Sequence, residues 1–486
     1  MKEHIKKEID IWTKNNMNYL RQLLKDNSDM VFREFNLKDR KVGLVYIDGM
    51  ADKLLLNEYV IEPIMENLEE IIIAGEIKDN IISVSDIREV ESLEKGVNAI
   101  LSGETLMFVD GLEKAYVIAN RSWPTRSVSE PSAETAIRGS REGFVETIRF
   151  NTALIRRRIR DTRLKIQAKS IGVRSKTDVA ILYIDDIVNK EALSEVQDRI
   201  DSINIDAILD SSYISAFIED NRFSPFPQIQ STERPDVVAA ALYEGRIAIL
   251  VDNSPFAIIV PSTMINLFQS PDDYYQRWID SSIVRILRFF SIFMSIILPG
   301  LYVAITSFHT SIIPTKLAYS IAASREGVPF PAFIEAIIME VSLALLIEAV
   351  ARLPKAIGAT IGIVGGLIIG QAAVSAGIVS PIMIIILGVT AITTFITPNY
   401  EITSAFRYIR FILIILAAAL GLYGMVLGLI LVLIHLVRLK SFTIPYLAPI
   451  VCPSFKDFKD LFIRLPLKYL KERPRYMKTE DKIRQK

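Results

Sequence analysis

The chain has 486 residues with 56 Lys/Arg and 56 Asp/Glu, and its formal net charge of zero hides three unlike regions. Residues 1–282 carry 35 Lys/Arg and 46 Asp/Glu, residues 283–437 carry 8 and 5, and residues 438–486 carry 13 and 5. An acidic front half excludes a nucleic-acid partner, the lone Cys452 excludes a disulfide framework, and three scattered histidines (His4, His309, His435) offer no metal or cofactor site.

Residues 1–29 read as a charged, helical opening segment. No apolar signal-peptide core is visible over 1–12, so the front half is expected to stay in the cytoplasm. An internal repeat follows. Val42-Gly43-Leu44-Val45-Tyr46-Ile47-Asp48 recurs as Val179-Ala180-Ile181-Leu182-Tyr183-Ile184-Asp185, and the match runs on through Lys53/Lys190, Leu56/Leu193 and Glu58/Glu195. Each run has the β-branched and aromatic content of a buried strand leading into a helix. A second pair, residues 103–110 and 245–252, ends in Asp-Gly and Asp-Asn turns at Gly111 and Asn253. Apolar strands resume beyond each turn, which makes each pair a hairpin. The order strand, helix, helix, hairpin therefore appears twice. It predicts two related α/β subdomains, residues 30–146 and 172–282.

Asp48 and Asp185 fall at strand ends, where α/β folds often hold ligands. No Walker loop, nucleophile elbow or metal motif accompanies them, so an enzyme is not expected.

Between the copies, residues 147–171 read as a linker helix with apolar Ile148, Leu154, Ile155, Ile159 and Leu164. Its cationic side chains are Arg156, Arg157, Arg158, Arg160, Arg163 and Lys165. They either meet lipid headgroups or a phosphorylated ligand, or pair with carboxylates of the acidic subdomains. The second copy holds extra chain near 219–235, where Pro225, Pro227 and Pro235 prevent regular helix. That loop is either a packed connector or, through its two Phe residues, a binding surface.

Residues 283–440 read as an α-helical multi-pass transmembrane bundle, followed by a basic tail at 441–486. Apolar segments can be drawn at 286–306, 332–351, 357–379, 382–397 and 411–436. All but the fourth reach the ~20 residues that a crossing needs. Five crossings would carry the basic tail away from the front half, against the positive-inside tendency. Four crossings plus one partial segment would keep the two on the same side. The third segment holds Gly358, Gly362, Gly365, Gly366 and Gly370 in three overlapping GxxxG pairs, the pattern of a close-packed or pore-lining helix. The second holds Glu335, Glu340 and Glu348. Carboxylates at membrane depth either line a cation or proton path or are buried in pairs, here with Arg325, Arg352 or Lys355, while Glu335 could instead snorkel to the interface.

Several runs are longer than these patterns require. They are 138–147 (RGSREGFVET), 151–158 (NTALIRRR), 217–228 (FIEDNRFSPFPQ), 232–235 (TERP) and 270–275 (SPDDYY). In the apolar half they are 313–316 (IPTK), 324–331 (SREGVPFP), 361–376 and 398–400 (PNY). In order, and over nearly the full chain, they resemble the A subunits of GerA-type nutrient germinant receptors of endospore-forming bacteria. Ser140 departs from the proline expected there.

The resemblance implies a receptor subunit in the spore inner membrane with its N-terminal region in the cytoplasm. Its partners would be a transporter-like B subunit that binds the nutrient and a lipoprotein C subunit. It also implies a homo-oligomer that conducts ions when nutrient binds. In such a channel the third-segment glycines would pack or line the path and Glu340 and Glu348 would set its field, with Glu335 a further intramembrane acidic candidate. A stage V sporulation AF-type subunit shares much of the pattern. A secondary transporter is the reading from another class. The visible repeat lies in the soluble half rather than among membrane helices, which weighs against transport.

Overall fold

The computed structural model describes residues 5–6, 8–37, 40–66, 86–122, 131, 134, 136–354, 366, 370–451 and 457–485. The chain forms two compact units. Met1–Glu219, Ile229–Pro261 and Lys471–Lys486 make the first, and Asp220–Gln228 and Ser262–Leu470 make the second.

The first unit contains the α/β repeat. Copy one comprises α1 (Thr13–Leu23), β1 (Met30–Leu37), β2 (Arg40–Ile47), α2 (from Lys53–Leu56 on through a π turn), β3 (Ile87–Val90), α3 (Leu93–Leu101), β4 (Thr105–Val109) and β5 (Ala115–Ile118). Copy two comprises α4 (Ile148–Arg158), β6 (Leu164–Ile171), β7 (Thr177–Ile184), α5 (Lys190–Asp201), α6 (Ser211–Ile218), β8 (Gln230–Thr232), α7 (Pro235–Tyr243), β9 (Ile247–Val251) and β10 (Ala257–Val260). The two sheets have matching strand orders, β1-β2-β4-β5-β3 and β6-β7-β9-β10-β8, with antiparallel neighbours throughout.

Strand β2 explains why the repeat was visible. Val42, Leu44 and Tyr46 face Leu56 and Val60 of the α2 stretch, while Val45 and Ile47 face Met17, Leu20 and Val97 of α1 and α3. A strand covered on both faces reads as an unbroken apolar run. The expected hairpin turns are present, with Gly111 at φ +91° and Asn253 at φ +66°.

The duplication is deeper than the matching runs imply, because it includes the leading helices. Asn16 of α1 accepts from Asp10 N at 2.9 Å and donates to Asp10 O at 2.7 Å. Asn151 of α4 makes the same clasp on Val145, at 2.9 and 2.6 Å. The hairpin aspartates repeat as well. Asp110 accepts from Thr13 N at 2.7 Å and Asp252 from Ile148 N at 3.0 Å, each receiving the first orphan N–H of its helix.

The linker helix expected over 147–171 is shorter than its pattern suggested. It stops at Arg158, Asp161 bonds Arg163 N at 2.9 Å in the turn that follows, and Leu164–Ile171 is strand β6 paired to β7. The alternating run LKIQAKSI has a strand period, which the preceding helical period masks. The arginines of this region meet carboxylates. Arg156 is buried on Asp29, Arg157 and Arg158 both pair with Glu142, and Arg163 pairs with Asp161 and Asp186. Burial works to raise the Glu142 pKa, but the two guanidiniums hold it below the usual carboxylate range. Asp48 and Asp185 pair with Lys53 and Lys190 at the start of the following helix, the same ion pair in both copies.

Near α7, Thr232 Oγ1 donates to Glu134 Oε2 at 2.6 Å, and burial pushes the Glu134 pKa up to about 7. The last piece of the unit docks on copy two. Arg473 Nε donates to Tyr243 O at 2.8 Å and its Nη1 to Ile483 O at 2.6 Å, while Arg484 lies 3.8 Å from Glu244.

The second unit is helical, with α8 (Met264–Phe268), α9 (Asp272–Tyr275), α10 (Trp278–Phe308), α11 (Thr315–Arg325), α12 (Ala332–Arg352), α13 (Pro381–Phe395) and α14 (Tyr400–Arg438). Two of these, α10 and α14, are long and apolar enough to cross a membrane. The apolar run at 411–436 is not one straight span. Gly421 sits at φ +61° and ψ −142°, outside helical geometry. Beyond it the chain folds back, because Phe226 contacts both Phe406 (ring centroids 6.2 Å apart) and His435 (6.0 Å). In a straight helix those two residues would stand roughly 40 Å apart. A Cβ on Gly424 would lie 2.3 Å from Leu416 O, and one on Gly428 would lie 2.7 Å from Leu413 Cδ2. α14 is therefore a helical hairpin whose second limb uses a GxxxG pair to approach the first.

The loop near 219–235 contributes Asp220–Gln228 to this unit, where Phe226 is 2% exposed and Phe223 is 99% exposed. The packed-connector reading holds for Phe226, while Phe223 is left in solvent.

Candidate functional site: a buried polar node among apolar helices

Within the helical unit, Glu340 on α12 is 1% exposed and Arg410 on the first limb of α14 is 2% exposed. Arg410 Nε lies 3.0 Å from Glu340 Oε2 but off the line of a hydrogen bond. Both Glu340 oxygens and Arg410 Nε thus lack a hydrogen-bond partner among the described residues. Arg410 Nη1 donates to Ser295 O of α10 at 3.1 Å and to Thr394 Oγ1 of α13 at 3.2 Å. Four helices converge on the pair.

The Ser295 carbonyl is free for a local reason. Pro299 lies inside α10, four residues on, and has no N–H to donate back to it. Arg410 takes the place of that missing donor. Around the node, the hydroxyls of Thr390, Thr393 and Thr394 bond back to the carbonyls of their own helix at 2.6–2.8 Å. They are satisfied without leaving the apolar surroundings.

Glu335 forms a second polar contact on α12. It is 0% exposed, lies 3.1 Å from Arg325 Nε and accepts from Ser380 N at 2.9 Å. Ser380 Oγ in turn lies 3.3 Å from Tyr302 Oη. Glu348 is exposed and pairs with Arg352 along its own helix at 2.6 Å. The three glutamates therefore do not share one site. Glu335 does not snorkel to an interface but is buried, since Arg325 and Ser380 N satisfy its carboxylate. Glu348 meets the expected Arg352, though in an exposed pair, and Glu340 takes Arg410 rather than Arg325, Arg352 or Lys355.

Gly358, Gly362 and Gly365 lie outside the described residues. A Cβ on Gly366 would stand 3.9 Å from Leu346, and one on Gly370 3.6 Å from Ile384, both ordinary contact distances. Sequence reasoning did not find Arg410, Pro299 or the Gly424/Gly428 pair. The proline and the GxxxG spacing are visible signals, but the arginine stands one residue before an apolar window and looked like its flank.

The carboxylate and guanidinium form a fixed dipole in an apolar bundle, with hydrogen-bonding capacity left unused on both sides. Such groups bind water or a polar ligand, or separate under a change of packing.

Residues 18–476 match the family described as Bacillus/Clostridium GerA spore germination protein. Spore germination protein GerLA of Bacillus cereus is 43% identical over 469 residues, covering 96% of this chain and 95% of that protein. Spore germination protein B1 of Bacillus subtilis is 44% identical over 491 residues, with coverage of 99% and 100%. An uncharacterized membrane protein of Bacillus subtilis, YfkQ, is 42% identical over 463 residues, with coverage of 95% and 90%. The chain belongs to the GerA family of spore germination proteins.

Proposed function

We propose that this chain is the A subunit of a nutrient germinant receptor, lodged in the spore inner membrane with its α/β unit in the cytoplasm. In this reading it oligomerises with further copies of itself into a ring that conducts monovalent cations once nutrient is bound. A transporter-like B subunit takes the nutrient, a lipoprotein C subunit completes the complex, and the chain itself performs no catalysis. The buried Glu340–Arg410 pair carries the proposal, because a charged pair with unused hydrogen-bonding capacity is retained at a helix crossing where apolar packing would be simpler. Closed and open bundles would differ in whether this pair is joined, and ligand drives the change only through unequal affinity for the two states.

The hairpin in α14 bears on the crossing parity. With α10, α12 and both limbs of α14 as crossings, residues 457–470 return to the end of the bundle where α10 begins, as their contacts with Ser282 and Phe289 support. The basic tail is then on the cytoplasmic side, in keeping with the positive-inside tendency.

The test is conductance of the purified chain in a planar bilayer, alone and with its partner chains. Nutrient-dependent openings whose frequency changes with Glu340→Gln support the receptor reading. Openings indifferent to nutrient mark a stage V sporulation AF-type subunit, and silence from a verified complex overturns the channel.

A further inference from the structure

The segment from Asp457 to Leu470 plays no part in the polar node, and its side chains are sorted by chemistry. Its inward face is anchored to α9 and the first turns of α10. Arg285 Nη1 bonds Asp460 Oδ1 at 2.7 Å, Tyr274 Oη donates to the same carboxylate at 2.7 Å, and Arg464 N donates to Ser282 Oγ at 3.1 Å. Leu461, Arg464 and Leu470 are buried on that side.

The outward face carries Phe458, Ile463, Leu467 and Tyr469, between 36% and 62% exposed, with Lys459 and Lys468 exposed among them, while Phe462 is part-exposed beside its edge-on contact with Phe289. Of the two carboxylates in the segment, Asp460 is turned inward onto Arg285 and Tyr274, and Asp457 is half-buried with Oδ2 shielded from solvent. The neighbouring surface of α10 exposes Ile279, Ile283, Leu287 and Phe290, with the carboxylate of Asp280 in its first turn.

A contiguous patch of large apolar side chains marks an interaction surface. What occupies it follows from charge and continuity. Lysines interleaved with aromatic and aliphatic side chains, at the end of an apolar helix bundle, fit a layer that is anionic at its surface and hydrocarbon beneath. We propose that residues 457–470 form an interfacial strap lying in the headgroup layer of an anionic bilayer leaflet. Its apolar side chains dip to the acyl boundary, and Lys459 and Lys468 meet lipid phosphates. The strap rests on the membrane placement proposed above.

The experiment uses the full chain with Cys452→Ser and one new cysteine carrying an environment-sensitive fluorophore, at Leu467 in one protein and at the exposed Leu431 of α14 in another. Each is placed in nanodiscs of phosphatidylcholine, with or without phosphatidylglycerol, that contain lipid spin-labelled near the headgroup. The strap predicts quenching at Leu467 that rises roughly twofold with the anionic lipid. Lys459→Glu with Lys468→Glu abolishes that rise and leaves the Leu431 signal unchanged. Quenching at Leu431 without quenching at Leu467 overturns the strap while the membrane placement stands. That result includes the case in which a second protein chain covers the patch. Absence of quenching at both positions overturns the membrane placement as well.

Discussion

Arg156 and Asp29 join the two copies of the α/β repeat through a two-pronged buried ion pair, Nε to Oδ2 at 2.8 Å and Nη2 to Oδ1 at 2.9 Å. Arg156 also holds Asn27 Oδ1 and Leu164 O, so that its fork is nearly filled. Arg156→Met leaves Asp29 buried and unpaired, and is expected to lower stability by about 3–5 kcal/mol. Arg156→Lys recovers only part of this, because an ammonium cannot reproduce the planar fork. Thermal unfolding of the full chain, with hydrogen exchange on β1 and β6, reads both effects.

Gly421 is the pivot of the α14 hairpin, and its φ and ψ suit no L side chain. Gly421→Ala places a methyl within 2.8 Å of His309 Cε1 and adds backbone strain of about 1–3 kcal/mol. Gly428→Leu strains the same hairpin from the side, where Leu413 and Leu416 already fill the space, at an overpacking cost of about 1–3 kcal/mol. Melting temperatures in detergent should fall for both, and an unchanged value for Gly428→Leu would contradict the folded-back limbs.

Glu340 and Arg410 should be thermodynamically coupled. Glu340→Ala or Arg410→Met alone leaves one charge buried without its partner, a loss of about 3–5 kcal/mol. The double substitution removes both charges and should cost clearly less than the sum. Denaturation of the four proteins in micelles gives the coupling directly, and simple additivity would show that the two charges do not interact.

Glu134 makes the first unit sensitive to mild changes of pH. Its pKa is raised by burial from 4.5 to about 7, so the folded form holds a proton that the unfolded form has released. The stability this confers is complete below pH 4.5 and is lost as pH rises towards 7, by about 1–3 kcal/mol. Glu134→Gln should flatten that part of the stability profile, as read by unfolding at a series of pH values.

What the amino-acid order revealed depended on how each element is covered. Strands β2 and β7 announce themselves because helices or packed loops cover them on both faces, and Val42–Ile47 and Val179–Ile184 are buried and uncharged throughout. The flanking strand β1 carries Arg33 and Glu34, and β3 carries Arg88 and Glu89, so their alternation is diluted by charges that face water. Glu340 is conspicuous within an apolar run, but its partner is set by how the helices pack. Ser295 is silent, since its backbone carbonyl matters only once Pro299 removes the usual donor. The α14 hairpin was hidden by hydropathy that continues unbroken across Gly421, although Gly424 and Gly428 carry a packing signal inside the same run.

Lys471–Lys486 belongs to the first unit although the whole helical unit precedes it in the chain. During synthesis the α/β repeat therefore emerges from the ribosome lacking its last piece, with the Tyr243 carbonyl waiting for Arg473. A chain stalled anywhere in the helices exposes that unfinished seam to proteases. The first unit is closed only once Lys471–Lys486 has been made, after the apolar helices that precede it.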